Sequence, residues 1–167
     1  MVRDSVARVT SALHEDVLPL AFLLGTWRGE GSGGYPTIEP FEYGEAIAFD
    51  HVGDAYLTYV QRSWSPEGEA VHLERGFLRP GAGGEWELTL AHPLGLTEVA
   101  HGRLEGTSLE FATEDGGIAR TRTGLDVTGI RRRYLVDGDV LTYSLDMATE
   151  RTPYAVHLEA SLRRGAP

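Results

Sequence analysis

Six histidines are the side chains of this 167-residue chain best suited to chemistry, and the residues around them narrow what that chemistry can be. Imidazole ligates metals, moves protons, and changes charge near neutral pH without any help from its surroundings. The chain has no cysteine, which excludes thiolate nucleophiles, zinc–thiolate sites and disulfides. All 15 basic residues are arginine, so lysine Schiff-base chemistry is excluded too. No Gly-x-Ser-x-Gly elbow is present, and no His-Glu-x-x-His metal motif or phosphate-binding loop. Gly29-Glu30-Gly31-Ser32-Gly33-Gly34 has the glycines of such a loop but lacks its Lys-Ser/Thr end and the helix after it. Two features remain. One is His157, on the last strand-like segment; the other is Gly25-Thr26-Trp27-Arg28-Gly29-Glu30-Gly31, followed by Tyr35-Pro36-Thr37-Ile38. Together they suggest a barrel that holds a cofactor, rather than an enzyme built around a nucleophile.

The elements that must position these residues are strands. Residues 1–19 read as an arm or short helix, and residues 20–165 as a single domain. From Leu20 onward, short runs rich in β-branched and aromatic residues are punctuated by Gly, Pro, Asp and Ser at the spacing of an all-β barrel or sandwich. The runs are Thr26–Gly31, Phe41–His51, Ala55–Ser63, Ala70–Arg79, Trp86–Ala91 and Leu96–Ala100, then Leu109–Thr113, Ile118–Thr123, Asp126–Val136, Val140–Met147 and Ala155–Arg163. Ser65-Pro66-Glu67-Gly68 and Asp137-Gly138 are turn sequences, and Gly81-Ala82-Gly83-Gly84 and Asp115-Gly116-Gly117 read the same way. Consecutive hairpins predict an antiparallel up-and-down β-barrel of about ten strands, of the lipocalin or fatty-acid-binding kind. A barrel of that size can enclose one small ligand.

Composition sets the remaining bounds. Net charge is −10, which repels phosphate backbones and argues against a nucleic-acid partner. Arg131-Arg132-Arg133 reads as a solvated strand edge. No apolar run is long enough to span a bilayer, and no basic region leads into an apolar segment at the N-terminus. The expectation is a cytoplasmic protein with no membrane partner; a homodimer stays open.

The ordered series of segments resembles the nitrobindin family of ferric-haem β-barrel proteins, assigned as peroxynitrite isomerases. The family signature Gly-x-Trp-x-Gly-x-Gly is matched by Gly25, Trp27, Gly29 and Gly31, with Tyr35 to Ile38 following. Pro40-Phe41-x-Tyr43, His51-Val52-Gly53, Gln61-Arg62-Ser63-Trp64, His72-Leu73-Glu74-Arg75-Gly76, Leu90-Ala91-His92-Pro93, Met147-Ala148-Thr149 and His157-Leu158 also agree. The resemblance implies one ferric haem b per chain, with His157 as the axial iron ligand and the residue on which catalysis depends. It implies isomerisation of peroxynitrite to nitrate, and reversible binding of nitric oxide at the same open position. It further makes Thr37 a haem contact, His72 and His92 distal or peripheral pocket residues, and Met147 a pocket methionine. The chain departs from the family at one place: where relatives carry a lysine near the haem, it reads Thr123-Gly124-Leu125-Asp126. If Leu125 takes that position, Arg120 or Arg122 is left to supply a cation.

Plainer readings stand beside these. Trp27 and its glycines suit a structural plug at one barrel end, and the Thr37 hydroxyl could serve a turn amide. His14, His51 and His101 read as surface or strand-end residues. Strict alternation puts His157 on the more polar face of its strand, facing solvent; a partly open cavity, or a bulge arising from Pro153, would reconcile that face with ligation. The competing functions are a lipocalin-like carrier of a small hydrophobic ligand without haem, and a partner-binding barrel whose histidine is vestigial.

Overall fold

Alternating strands bury one face each, and a sheet of such strands removes its own edges by closing on itself. That is the solution found here. The computed structural model describes residues 11–165, in which ten antiparallel strands form a closed barrel. They are β1 (Gly25–Tyr35), β2 (Ile38–His51), β3 (Leu57–Trp64), β4 (Ala70–Pro80) and β5 (Trp86–His92), then β6 (Leu96–Glu105), β7 (Ser108–Arg120), β8 (Val127–Asp137), β9 (Val140–Thr149) and β10 (Ala155–Arg164). Each pairs with its sequence neighbours, and β1 pairs with β10 to close the ring. No helix among the described residues is long and apolar enough to cross a membrane.

One end of the barrel is plugged. A 3-10 helix, Glu15–Leu23, buries Val17, Leu20 and Leu23 against that end. Trp27 is fully buried beneath it and donates its indole N–H to the Leu23 carbonyl at 2.8 Å. The Arg164 guanidinium stacks over the indole at 4.0 Å and donates to the carbonyls of Phe22 and Leu24. A cation over an aromatic face and two backbone hydrogen bonds thus tie the last strand to the helix C-terminus. The N-terminal arm expected over residues 1–19 falls partly on residues 1–10, which lie outside the described residues.

Two expectations are corrected. Leu109–Thr113 and Ile118–Thr123 read as separate strands, with Asp115-Gly116-Gly117 as their turn, yet they form one strand, β7. Its partner steps from Glu98↔Ile118 to Ala100↔Thr113, so residues 114–117 bulge out opposite Val99. Gly116 adopts φ +82°, and a Cβ on Gly117 would meet the Val99 carbonyl oxygen at 2.6 Å. The glycines therefore serve an enlarged bulge within the strand rather than a turn. The second correction is Arg132: β8 is an interior strand of a closed barrel, and alternation turns Arg132 into the lumen, 2% exposed, while Arg131 and Arg133 face solvent.

Truncating the plug should be costly. Trp27→Ala removes a buried aromatic and an arginine platform, and urea unfolding should show a loss of about 3–5 kcal/mol. An unchanged unfolding midpoint would contradict the plug role.

Candidate functional site

The opposite end of the barrel opens into a cavity of about 240 Å³, and His157 lines it. The register of β10 explains how a residue on the polar face gets there. β10 pairs Val156 with Asp146 and then Leu158 with Leu145, so His157 is one extra residue with no partner on β9. A bulge of this kind re-aims a side chain. Val156 points out and is 58% exposed, whereas His157 and Leu158 both line the cavity. The irregularity is at His157 itself rather than at Pro153. A second register shift faces it across the seam: β1 skips Gly34 in its pairing with β2, between Gly33 and Tyr35. The Gly34 carbonyl is thereby available to accept from His157 Nδ1 at 2.9 Å. That contact fixes the tautomer and leaves Nε2 as the lone-pair nitrogen; Nε2 makes no hydrogen bond among the described residues.

Glycines on β1 shape the wall beside it. A Cβ on Gly33 would collide with the Phe41 ring at 2.2 Å, and one on Gly31 with the Tyr43 ring at 2.6 Å. The two aromatics lie across the strand where side chains would otherwise stand, an arrangement that also shields glycine backbone. Phe41 and Tyr35 then meet the His157 ring edge-on, with centroids 6.3 and 5.8 Å away. The Tyr35 hydroxyl donates to the Met147 carbonyl at 3.2 Å, clamping the β1–β2 hairpin to β9.

The structure brings most of the expected site residues together. His72, His92, Met147, Leu125 and His157 all line the one cavity. Its apolar wall includes Leu94, Leu96, Val127, Ile130 and Leu145. Thr37 does not join them: it is exposed in the turn between β1 and β2, next to the cavity-lining Ile38. Gly25, Trp27, Gly29 and Gly31 lie on β1, and Trp27 is at the plugged end, away from the cavity. Arg120 stands beside Leu125 but holds Asp126 and Glu150 at 2.8 Å each. In the barrel order, His157 on β10 and His92 on β5 are five strands apart in either direction, so the two histidines face each other across the lumen.

Sequence reasoning missed the floor of the cavity. Glu45, Gln61, Glu74, Glu98 and Arg132, all buried, form a polar belt across the barrel. Arg132 donates to Glu74 Oε1 at 2.6 Å and Oε2 at 3.0 Å, and to Glu98 Oε2 at 2.7 Å. It also donates to the Tyr143 hydroxyl at 3.0 Å. Burial pushes the Glu74 carboxyl up, but Arg132 with His72 and His92 outweighs it and holds the group well below the usual carboxylate range. Glu98 is also lowered, because Arg132 and His92 overcome its burial. Burial opposes the charge on Arg132, yet the two carboxylates keep it firmly protonated. His92 sits 3.2 Å through Nδ1 from Glu74 Oε2 and 3.3 Å through Nε2 from Glu98 Oε2. His72, Glu74 and His92 also have metal-ligating atoms within 4.8 Å of one another, but Arg132 already occupies the carboxylate. The missed signal was present in the sequence: the inward rows of β2, β6 and β8 are each broken once by a charged residue, as in Tyr43-x-Glu45-x-Ile47, Leu96-x-Glu98-x-Ala100 and Ile130-x-Arg132-x-Tyr134.

Removing one partner of a buried ion network leaves the others uncompensated. Arg132→Met should cost about 3–5 kcal/mol at neutral pH. Because the folded carboxylates titrate below their unfolded values, the stability they contribute is present above the unfolded pKa and is lost as pH falls through the folded one. The deficit of the variant should therefore shrink when unfolding is repeated in acid; a deficit that does not change with pH would show that the charges do not carry it.

The comparisons with known proteins point the same way as the cavity. A family model described as a THAP4-like, heme-binding β-barrel domain matches residues 16–164. A peroxynitrite isomerase of Nocardia farcinica is 46% identical over 156 residues, covering 92% of this chain and 93% of that protein. Peroxynitrite isomerase 2 of Mycobacterium avium is 43% identical over 155 residues, covering 91% and 96%. The crystal structure of Rv2717c from M. tuberculosis superposes with a TM-score of 0.85 at 40% identity, covering 93% of this chain and all of that one. On that match the chain belongs to the THAP4-like, heme-binding β-barrel family, the nitrobindins.

Proposed function

We propose that the cavity binds one ferric haem b through His157 and isomerises peroxynitrite to nitrate, with reversible nitric oxide binding at the same position. The observation that carries this reading is the bulged His157. Its Nδ1 is committed to the Gly34 carbonyl and its Nε2 is bare, on the wall of a largely apolar cavity open at one end. An imidazole held in this way would suit haem iron as a single protein ligand. The names of the relatives supply the substrate.

The bound haem would supply the iron on which the peroxynitrite anion rearranges. The protein's part follows from its own residues. The Gly34 carbonyl sets the tautomer of the ligand, and Phe41 and Tyr35 hold its ring plane. Leu96, Val127, Ile130 and Leu145 make the apolar wall that would keep water from a bound macrocycle. His92, five strands from His157 in the barrel order, lines the same cavity with its Nε2 3.3 Å from Glu98 Oε2. His72, 5.6 Å from it between ring centroids, is the less buried member of the pair and stands nearer the solvent.

Titrating the apo-protein with ferric haem should give a stoichiometric Soret band that His157→Ala removes. In that variant, peroxynitrite decay followed by stopped flow should fall to the rate of free haem. Equal haem uptake without His157 would return the barrel to the lipocalin-like reading.

A further inference from the structure

Glu45 is the carboxylate of the polar belt that Arg132 does not reach. It is fully buried and lines the cavity; its Oε1 accepts from Gln61 Nε2, but its Oε2, also buried, has no partner. Tyr43 lies on the same face of β2, two residues nearer the mouth. It lines the same cavity, and its hydroxyl is likewise buried and unpartnered. Buried polar atoms are rarely left unsatisfied, and two on one cavity wall mark a place for a ligand. The groups acting on Glu45 are Gln61 from β3, itself hydrogen-bonded by Tyr59, Glu74 from β4, Arg132 from β8 and Tyr143 from β9, and Glu159 from β10 acts on Tyr43. Burial, followed by the Glu74 charge, pushes the Glu45 carboxyl up to about 8 against the lowering effects of Gln61 and Arg132. At neutral pH it is a carboxylic acid whose O–H can donate. The Tyr43 phenol, also raised, is a second donor. Two unspent neutral donors suit a ligand that only accepts.

We propose that Glu45 and Tyr43 form a subsite on the cavity floor for a small nitrogen oxyanion, held by hydrogen bonds from neutral donors. The identity of the anion rests on the isomerase reading, in which nitrate is the product; the donor pair itself does not depend on haem.

The test is infrared difference spectroscopy and calorimetry on the haem-loaded protein, with sodium nitrate as the probe. Wild type should show the carbonyl stretch of a buried carboxylic acid near neutral pH. Nitrate should shift that band, and Glu45→Gln should remove it. Nitrate affinity should fall on the order of 30-fold between about pH 6.5 and about pH 9.5, following the fraction of neutral Glu45. Glu45→Gln keeps an N–H donor and should bind nitrate with no such pH dependence. A missing band, an affinity that does not change with pH in wild type, or crystals grown in nitrate with only water against Oε2 would overturn the subsite. Haem uptake through His157 with no nitrate response refutes the subsite and leaves the isomerase reading standing. Loss of histidine-dependent haem uptake, with the nitrate-sensitive band intact, does the reverse.

Discussion

A single arginine placed between two carboxylates in the middle of the barrel is the constraint on which the rest of the structure depends. Arg132 reaches Glu74 on β4 and Glu98 on β6 from β8, so three non-adjacent strands are tied through the lumen as well as through the ladder. Burying such a network is expensive, and the cost is offset only when every proton and lone pair finds a partner. Tyr143, His72 and His92 complete it. The belt therefore divides the barrel in two. Below it the space is filled by Ile47, Leu57, Leu88, Leu141 and the helix plug; above it the space is left open.

The division assigns different work to the two ends. The closed end is sealed by Trp27 and Arg164, with conventional packing around them. The open end relies on departures from regular structure: glycines that let Phe41 and Tyr43 lie flat across β1, and irregularities that free a carbonyl and turn a histidine. Rigidity below permits irregularity above, because the open-end strands are held in register by the belt beneath them.

The regular parts of this design could be read in the sequence. Hydrophobic alternation and turn residues located the strands to within a few residues at most boundaries, and the ordered series of segments from Gly25 to His157 pointed to the family. The irregular parts could not. A glycine pair inside a strand looks like a turn until its partner is known, so β7 was split at Asp115-Gly116-Gly117. Strict alternation pointed His157 outward, since a bulge is visible only in the pairing of two strands. Arg132 was hidden by its neighbours: a run of three arginines suggests solvent, and the inward member stands out only when the row Ile130, Arg132, Tyr134 is read on its own. Glu45 breaks the inward row of Tyr43 and Ile47 in the same way, but its meaning lies in which groups fail to reach it.

The bulge on β10 also bears on how this barrel can change over time. His157 faces the lumen because the chain carries one residue more than the ladder needs between Val156 and Leu158. On the proposed reading, ligation would be encoded in segment length as much as in the presence of an imidazole. Losing one residue from this stretch would turn the histidine toward solvent while leaving its letter in the sequence. A relative that keeps the histidine but is one residue shorter there would be a barrel of the same lineage with its imidazole outside the cavity, and comparing letters alone would not reveal the loss.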